Sequence, residues 1–74
     1  MLPIIKRRVM MCYISGAALR AQRQAAGLSQ RALADLITAA TGIEVNKMAI
    51  SRMEKEFEVE VDIVTAGVLL KIFN

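Results

Sequence analysis

The chain contains no histidine and no tryptophan, and its only cysteine is Cys12. Without a histidine base, a glycine-rich phosphate loop or a cluster of metal ligands, an active site or a zinc site is hard to build here. A single cysteine also excludes an intrachain disulfide and is typical of a reducing compartment. The sequence therefore predicts a protein that is not an enzyme and needs no cofactor or metal, with Cys12 as a small core residue.

Long apolar runs are also missing. Hydrophobic residues make up 55% of the 74 positions, yet no stretch reaches the roughly 20 apolar residues that span a bilayer. An apolar segment precedes the basic residues 6–8, which is the reverse of the order in a secretory signal. We therefore expect a cytoplasmic chain with no membrane partner. Its apolar content exceeds what one small core can hide, which favours a self-association surface.

The charges are unevenly distributed along the chain. The net charge of +3 is mildly basic and is compatible with a nucleic-acid partner. Residues 6–31 include six lysines and arginines and no acid, whereas residues 54–62 include five acids and one lysine. This separation predicts one face that can meet phosphates and another that repels them.

Helical periodicity and capping residues divide the chain into an N-terminal basic arm or strand at 1–14 and a helical domain at 15–74. We expect a mostly α-helical fold. The predicted N-caps are Ser15, Ser29, Asn46 and Asp62, with Gly27 and Gly42 ending the first two helices. The predicted apolar faces carry Leu19, Arg23 and Ala26; Leu33, Leu36, Ile37 and Ala40; Ile50, Met53 and Phe57; and Ala66, Leu69, Leu70 and Phe73.

Apolar and acidic residues alternate over positions 57–63, which is typical of a half-buried strand. We expect this strand to pair with residues 4–11, within one chain or between two chains. The basic residues 6–8 would then face Glu58, Glu60 and Asp62. In the rival hypothesis, the basic arm is disordered and follows a DNA groove.

Two short helices joined by a tight turn are the usual means of placing a helix in the DNA major groove. At the N-terminus of the first of them, free backbone N–H groups and the helix dipole attract a phosphate. On the second, Lys47 and Arg52 can donate to guanine, and Met48 can pack on a thymine methyl. The predicted DNA-binding residues are Arg20, Ser29, Gln30, Asn46, Lys47, Met48, Ser51 and Arg52.

Residues 18–73 resemble the Cro/repressor-type helix-turn-helix family, also called XRE-like. The matching residues are Leu19, Arg23, Gly27-Leu28-Ser29-Gln30, Leu33-Ala34 and Ile50-Ser51-Arg52-Met53-Glu54. The resemblance implies a five-helix, lambda-repressor-like bundle with the third helix in the major groove. It also implies that Arg23, which lies unusually in an apolar stripe, forms an ion pair with Glu54.

The chain departs from the family pattern at three places. Residues 39–45 look like an insertion, and the segment that follows Glu54 is acidic where the family is often basic. The basic N-terminal arm is also not a fixed part of the family. The sequence still favours a DNA-binding transcriptional regulator, namely a homodimeric repressor of phage or mobile-element type on a palindromic operator. The alternative is a protein-interaction module, antitoxin-like or adaptor-like, that does not bind DNA.

Overall fold

The computed structural model describes residues 11–73, which form four helices and a small antiparallel sheet. The elements are β1 (Met11–Ser15), α1 (Gly16–Ala25), α2 (Gln30–Thr41), α3 (Lys47–Glu54), β2 (Glu58–Asp62) and α4 (Ile63–Phe73). The expected mostly helical class is confirmed, but the count of five helices is wrong for this part of the chain. The segment between α3 and α4 is extended, because its apolar residues recur every second position.

Each helix begins directly after the polar residue that the sequence predicts as its N-cap. Such a side chain satisfies a backbone N–H that the helix itself leaves unpaired. The acceptors are Ser15 Oγ for Ala18 N–H at 3.1 Å, Ser29 Oγ for Ala32 N–H at 3.0 Å, Asn46 Oδ1 for Ala49 N–H at 2.9 Å and Asp62 Oδ1 for Thr65 N–H at 2.7 Å. The Thr65 N–H also lowers the pKa of Asp62.

The sheet pairs β1 with β2 in antiparallel register, from Met11 opposite Asp62 to Ser15 opposite Glu58. The predicted pairing of an N-terminal strand with residues 57–63 is therefore confirmed, but the strand that pairs is residues 11–15 and not the range 4–11 that the sequence indicates. Cys12 and Ile14 lie opposite Val61 and Val59, which groups four apolar side chains on one face. Residues 6–8 lie outside the described residues, and so do the charge pairs predicted between them and β2.

The core lies between the four helices, and β2 covers one side. Its buried side chains are Leu19, Leu33, Ala34, Ile37, Ile50, Leu69, Val59 and Val61. Several residues predicted for apolar faces are exposed instead, notably Leu36, Phe57 and Leu70. In α2, Ala34 rather than Leu36 borders the buried stripe of Leu33 and Ile37. Cys12 is half-buried rather than a core residue.

Within residues 11–73, no helix has the length and apolar character needed to cross a membrane.

The segment that the sequence marks as an insertion lengthens α2 and the connection to α3. α2 continues to Thr41, and Gly42 ends it with a positive φ of 76°. The Thr38 hydroxyl accepts the Val45 N–H at 2.8 Å and donates to the Val45 carbonyl at 3.1 Å. These two bonds hold Val45 against α2, so that the turn at residues 42–44 lies at the surface. α3 begins immediately after it and packs against α2.

Candidate nucleic-acid interface

A buried ion pair joins α1 to the end of α3. Arg23 Nε and Nη2 donate to the two carboxylate oxygens of Glu54 at 2.5 and 3.1 Å, and the side chains are 11% and 4% exposed. Arg23 Nη1 also donates to the Leu28 carbonyl at 2.8 Å. The guanidinium therefore fixes both the turn after α1 and the last turn of α3. This is the pair that the family resemblance implied.

Gln30 adds a third donor to Glu54. Its amide Nε2 donates to Glu54 Oε1 at 3.2 Å, so the first residue of α2 is tied to the last residue of α3. The hydrogen bond from Arg23 is the main cause that lowers the pKa of Glu54, and Gln30 and the nearby charge of Arg20 act in the same direction. The same bond raises the pKa of Arg23. Both groups are thus charged near neutral pH, and their charges are compensated inside the protein.

The network determines which charges α3 presents at the surface. Glu54 is the only acid on α3, and its carboxylate is turned inward. The outer face carries Lys47 and Arg52, both exposed, with Met48 71% exposed between them. Lys55, which caps the helix, is exposed as well. The exposed surface of α3 and its cap therefore holds three cations and no anion.

Met48, Ser51, Arg52 and Lys55 line one shallow surface depression. Three of these four residues were predicted for the site, and the fourth, Lys55, was missed because it belongs to an acidic run in sequence. The signal that could have found it is its spacing, since positions 48, 51, 52 and 55 share a helix face. Lys47 is exposed at the start of α3, outside this depression.

The remaining predicted residues surround α3. Ser29 and Asn46 are exposed and use their side chains as helix caps, while Gln30 directs its amide to Glu54. Arg20 is exposed on α1, close enough to Glu54 to lower its pKa. Beyond α3 the surface becomes acidic, because Glu56, Glu58 and Glu60 are exposed. The basic area therefore ends where α3 ends.

This arrangement suits a negatively charged, grooved partner. A short helix with cations on its outer face and one apolar side chain among them can contact phosphates and base edges together. No protein-family model, curated protein or solved structure matches the chain.

Proposed function

We propose that this protein is a sequence-specific DNA-binding regulator of the helix-turn-helix kind, in which α3 enters the major groove. The observation that carries the proposal is the charge of α3: its only acid is buried in an ion pair, while Lys47, Arg52 and Lys55 face outward. An unpaired acid at that position would repel phosphates. The Arg23–Glu54–Gln30 network supports the proposal further, because it holds α3 rigidly against α1 and α2.

In the proposed complex, Arg52 and Lys47 read base edges and Met48 contacts a thymine methyl. Lys55 and Arg20 contact the phosphate backbone, and the N-termini of α2 and α3, capped by Ser29 and Asn46, favour phosphates as well. α3 has eight residues and is about 12 Å long, so it reads only a few base pairs. Two chains on a palindromic operator, acting as a repressor, would supply the remaining specificity.

The test begins with selection of a preferred duplex from a random pool, followed by titration at several salt concentrations. Arg52→Ala should weaken binding to the selected duplex by about 1–3 kcal/mol and relax the preference at one position. Lys55→Ala and Arg20→Ala should weaken binding to all sequences alike, with the salt slope reduced by about 1 in each. The control is Lys71→Ala, which removes the same charge from exposed α4.

If Arg52→Ala binds the selected duplex as tightly as the wild type, α3 does not read the bases. If Lys71→Ala reduces the salt slope as much as Lys55→Ala does, binding reflects net charge alone and the proposed interface is wrong.

A protein-interaction module that does not bind DNA is the second candidate. It is favoured by large apolar side chains that are exposed outside α3, among them Phe57 at 90% and Leu70 at 71%. Such side chains are typical of protein contact surfaces. Under this hypothesis, repeated selection enriches no duplex sequence, and any DNA binding is equally weak for every sequence tested.

A further inference from the structure

Among the residues that the structure describes, the strand β1 has an open edge without the usual protection. Within residues 11–73 it pairs with β2 alone, so its outer edge presents backbone N–H and C=O groups that have no strand partner there. Natural edge strands are commonly blunted by charged residues or proline, because an unprotected edge recruits another strand. Residues 11–15 contain neither.

The side chains on the inner face of β1 are also less buried than those on the inner face of β2. Val59 and Val61 of β2 are 8% and 7% exposed, whereas Cys12 and Ile14, directly opposite them, are only half-buried. An apolar groove between β1, α1 and α4 is lined by these two side chains together with Leu19, Leu69 and Phe73, among others. The apolar layer beneath the sheet therefore extends to β1, where it is incompletely covered.

The charged residues on β1 and β2 determine which of the two strands can pair with the same strand of a second chain. If two β2 strands paired antiparallel in full overlap, Glu60 would face Glu60 of the second copy and Glu58 would face Asp62. Like charges directly opposite each other destabilise a strand pair. For β1, full overlap places Tyr13 opposite Tyr13 and Met11 opposite Ser15, with no charge involved. The β1 edge is therefore complementary to itself, and the β2 edge is not.

We propose that two copies of this chain associate through antiparallel pairing of their β1 strands, which forms a four-stranded sheet. Directly opposite residues share a face, so Cys12 of one copy lies beside Ile14 of the other on the inner face. Each copy thereby covers the mouth of the groove on its partner. On the outer face, the two Tyr13 rings meet at the two-fold axis, and aromatic cross-strand pairs are favourable.

This interface deepens the proposed function, because it names the surface that joins the two chains on a palindromic operator. The role of this interface on DNA rests on the proposed function, whereas the association of the two chains does not. Association itself is measured in the absence of DNA.

The test is sedimentation equilibrium of the full chain over a wide concentration range. The wild type should reach twice the chain mass of 8.1 kDa. Tyr13→Lys should raise the dimer dissociation constant at least about tenfold, because two lysines then meet at the two-fold axis. Within one chain this lysine faces Glu60, which is a favourable pair, so the fold should be retained. Circular dichroism melting checks that it is.

Phe57→Lys is the matched control. It adds the same charge in place of an even more exposed aromatic side chain that lies outside β1, and it should leave the dimer intact. Hydrogen exchange supplies a second measurement. Backbone amides of residues 11–15 should exchange more slowly as the wild type dimerises, but not in Tyr13→Lys.

A wild type that stays monomeric at millimolar concentration overturns the proposal, and this result is expected if another segment or another protein occupies the edge. A Tyr13→Lys dimer as tight as the wild type, or equal dissociation of Phe57→Lys, overturns it as well. The two proposals fail separately. A dimer that selects no DNA sequence contradicts only the DNA-binding function, and a monomer that selects one contradicts only this interface.

Discussion

At the scale of single residues, the carboxylate of Glu54 has the most demanding environment among the described residues. It is almost fully buried and accepts hydrogen bonds from Arg23 and Gln30 that occupy both of its oxygens. A buried charge is tolerated only when it is paired and hydrogen-bonded in this way. Its partner Arg23 is equally dependent on it, so loss of either charge leaves the other uncompensated.

Glu54→Gln should therefore destabilise the fold by about 3–5 kcal/mol at pH 7, because it leaves the buried Arg23 charge unpaired. The folded-state pKa of Glu54 lies below its ordinary value. Its stabilising contribution is thus complete above pH about 4.3 and is lost as pH falls through the folded-state pKa. Urea unfolding between pH 7 and pH 3 should show the difference between variant and wild type narrowing below pH about 4.

The control for this experiment is Glu58→Gln, which neutralises an exposed carboxylate and should change stability by no more than about 0.5 kcal/mol. The acid dependence that arises from Asp62 is common to all three proteins. A difference between Glu54→Gln and the wild type that stays constant down to pH 3 would contradict the assignment.

Gly16 is a second residue with a specific structural requirement. A Cβ atom at this position would collide with the backbone carbonyls of Met53 and Glu56, so the start of α1 packs directly on the end of α3. Gly16→Ala should destabilise the protein by about 1–3 kcal/mol, because backbone atoms must shift. Gly67→Ala in α4 meets nothing within 4 Å and should stabilise it by about 0.5–1 kcal/mol.

Thermal melting of the two alanine variants provides the comparison. A rise in melting temperature for Gly16→Ala as well as for Gly67→Ala would show that helix propensity, rather than the contact between α1 and α3, governs position 16.

At the scale of elements, two hydroxyl groups hold the connection between α2 and α3. Thr38 satisfies both the N–H and the carbonyl of Val45, and the Thr41 hydroxyl accepts the Ile43 N–H at 3.1 Å. The turn at residues 42–44 can therefore lie at the surface without changing how α2 meets α3. The lengthened connection marked in the sequence is thus accommodated locally.

Thr38→Val should cost about 1–3 kcal/mol, because it keeps the shape of the side chain but leaves the Val45 N–H and carbonyl unpaired. Thr38→Ser retains the hydroxyl and should stay much closer to the wild type. Chemical denaturation of both variants tests this expectation. If Thr38→Ser destabilises the protein more than Thr38→Val does, the methyl group of Thr38 rather than its hydroxyl holds the connection.

At the scale of the whole molecule, the exposed cations and the uncharged strand edge belong to different elements. The cations of α3 lie on one surface, and the exposed acids Glu56, Glu58 and Glu60 begin directly after it. The edge of β1 that faces away from β2 carries no charged residue, and within residues 11–73 no further strand lies beside it. A single small chain thus offers distinct areas for the two proposed partners, DNA and a second copy.

Features that depend on neighbouring residues can be predicted from the amino-acid sequence. The four helix caps, the glycine that ends α2 and the strand character of residues 58–62 follow from local hydrogen bonding and periodicity, and all are confirmed. The Arg23–Glu54 pair, 31 residues apart, was reached only through the family resemblance.

The residues that meet across the chain follow from the packing of the elements and not from local sequence. The tertiary structure paired residues 11–15 with β2, left Leu36, Phe57 and Leu70 exposed, and joined Gln30 to Glu54. It also grouped Lys55 with Met48, Ser51 and Arg52. The physical reason is that burial depends on which side of an element its neighbours cover. Periodicity identifies an apolar stripe, but packing of the other elements determines where that stripe ends.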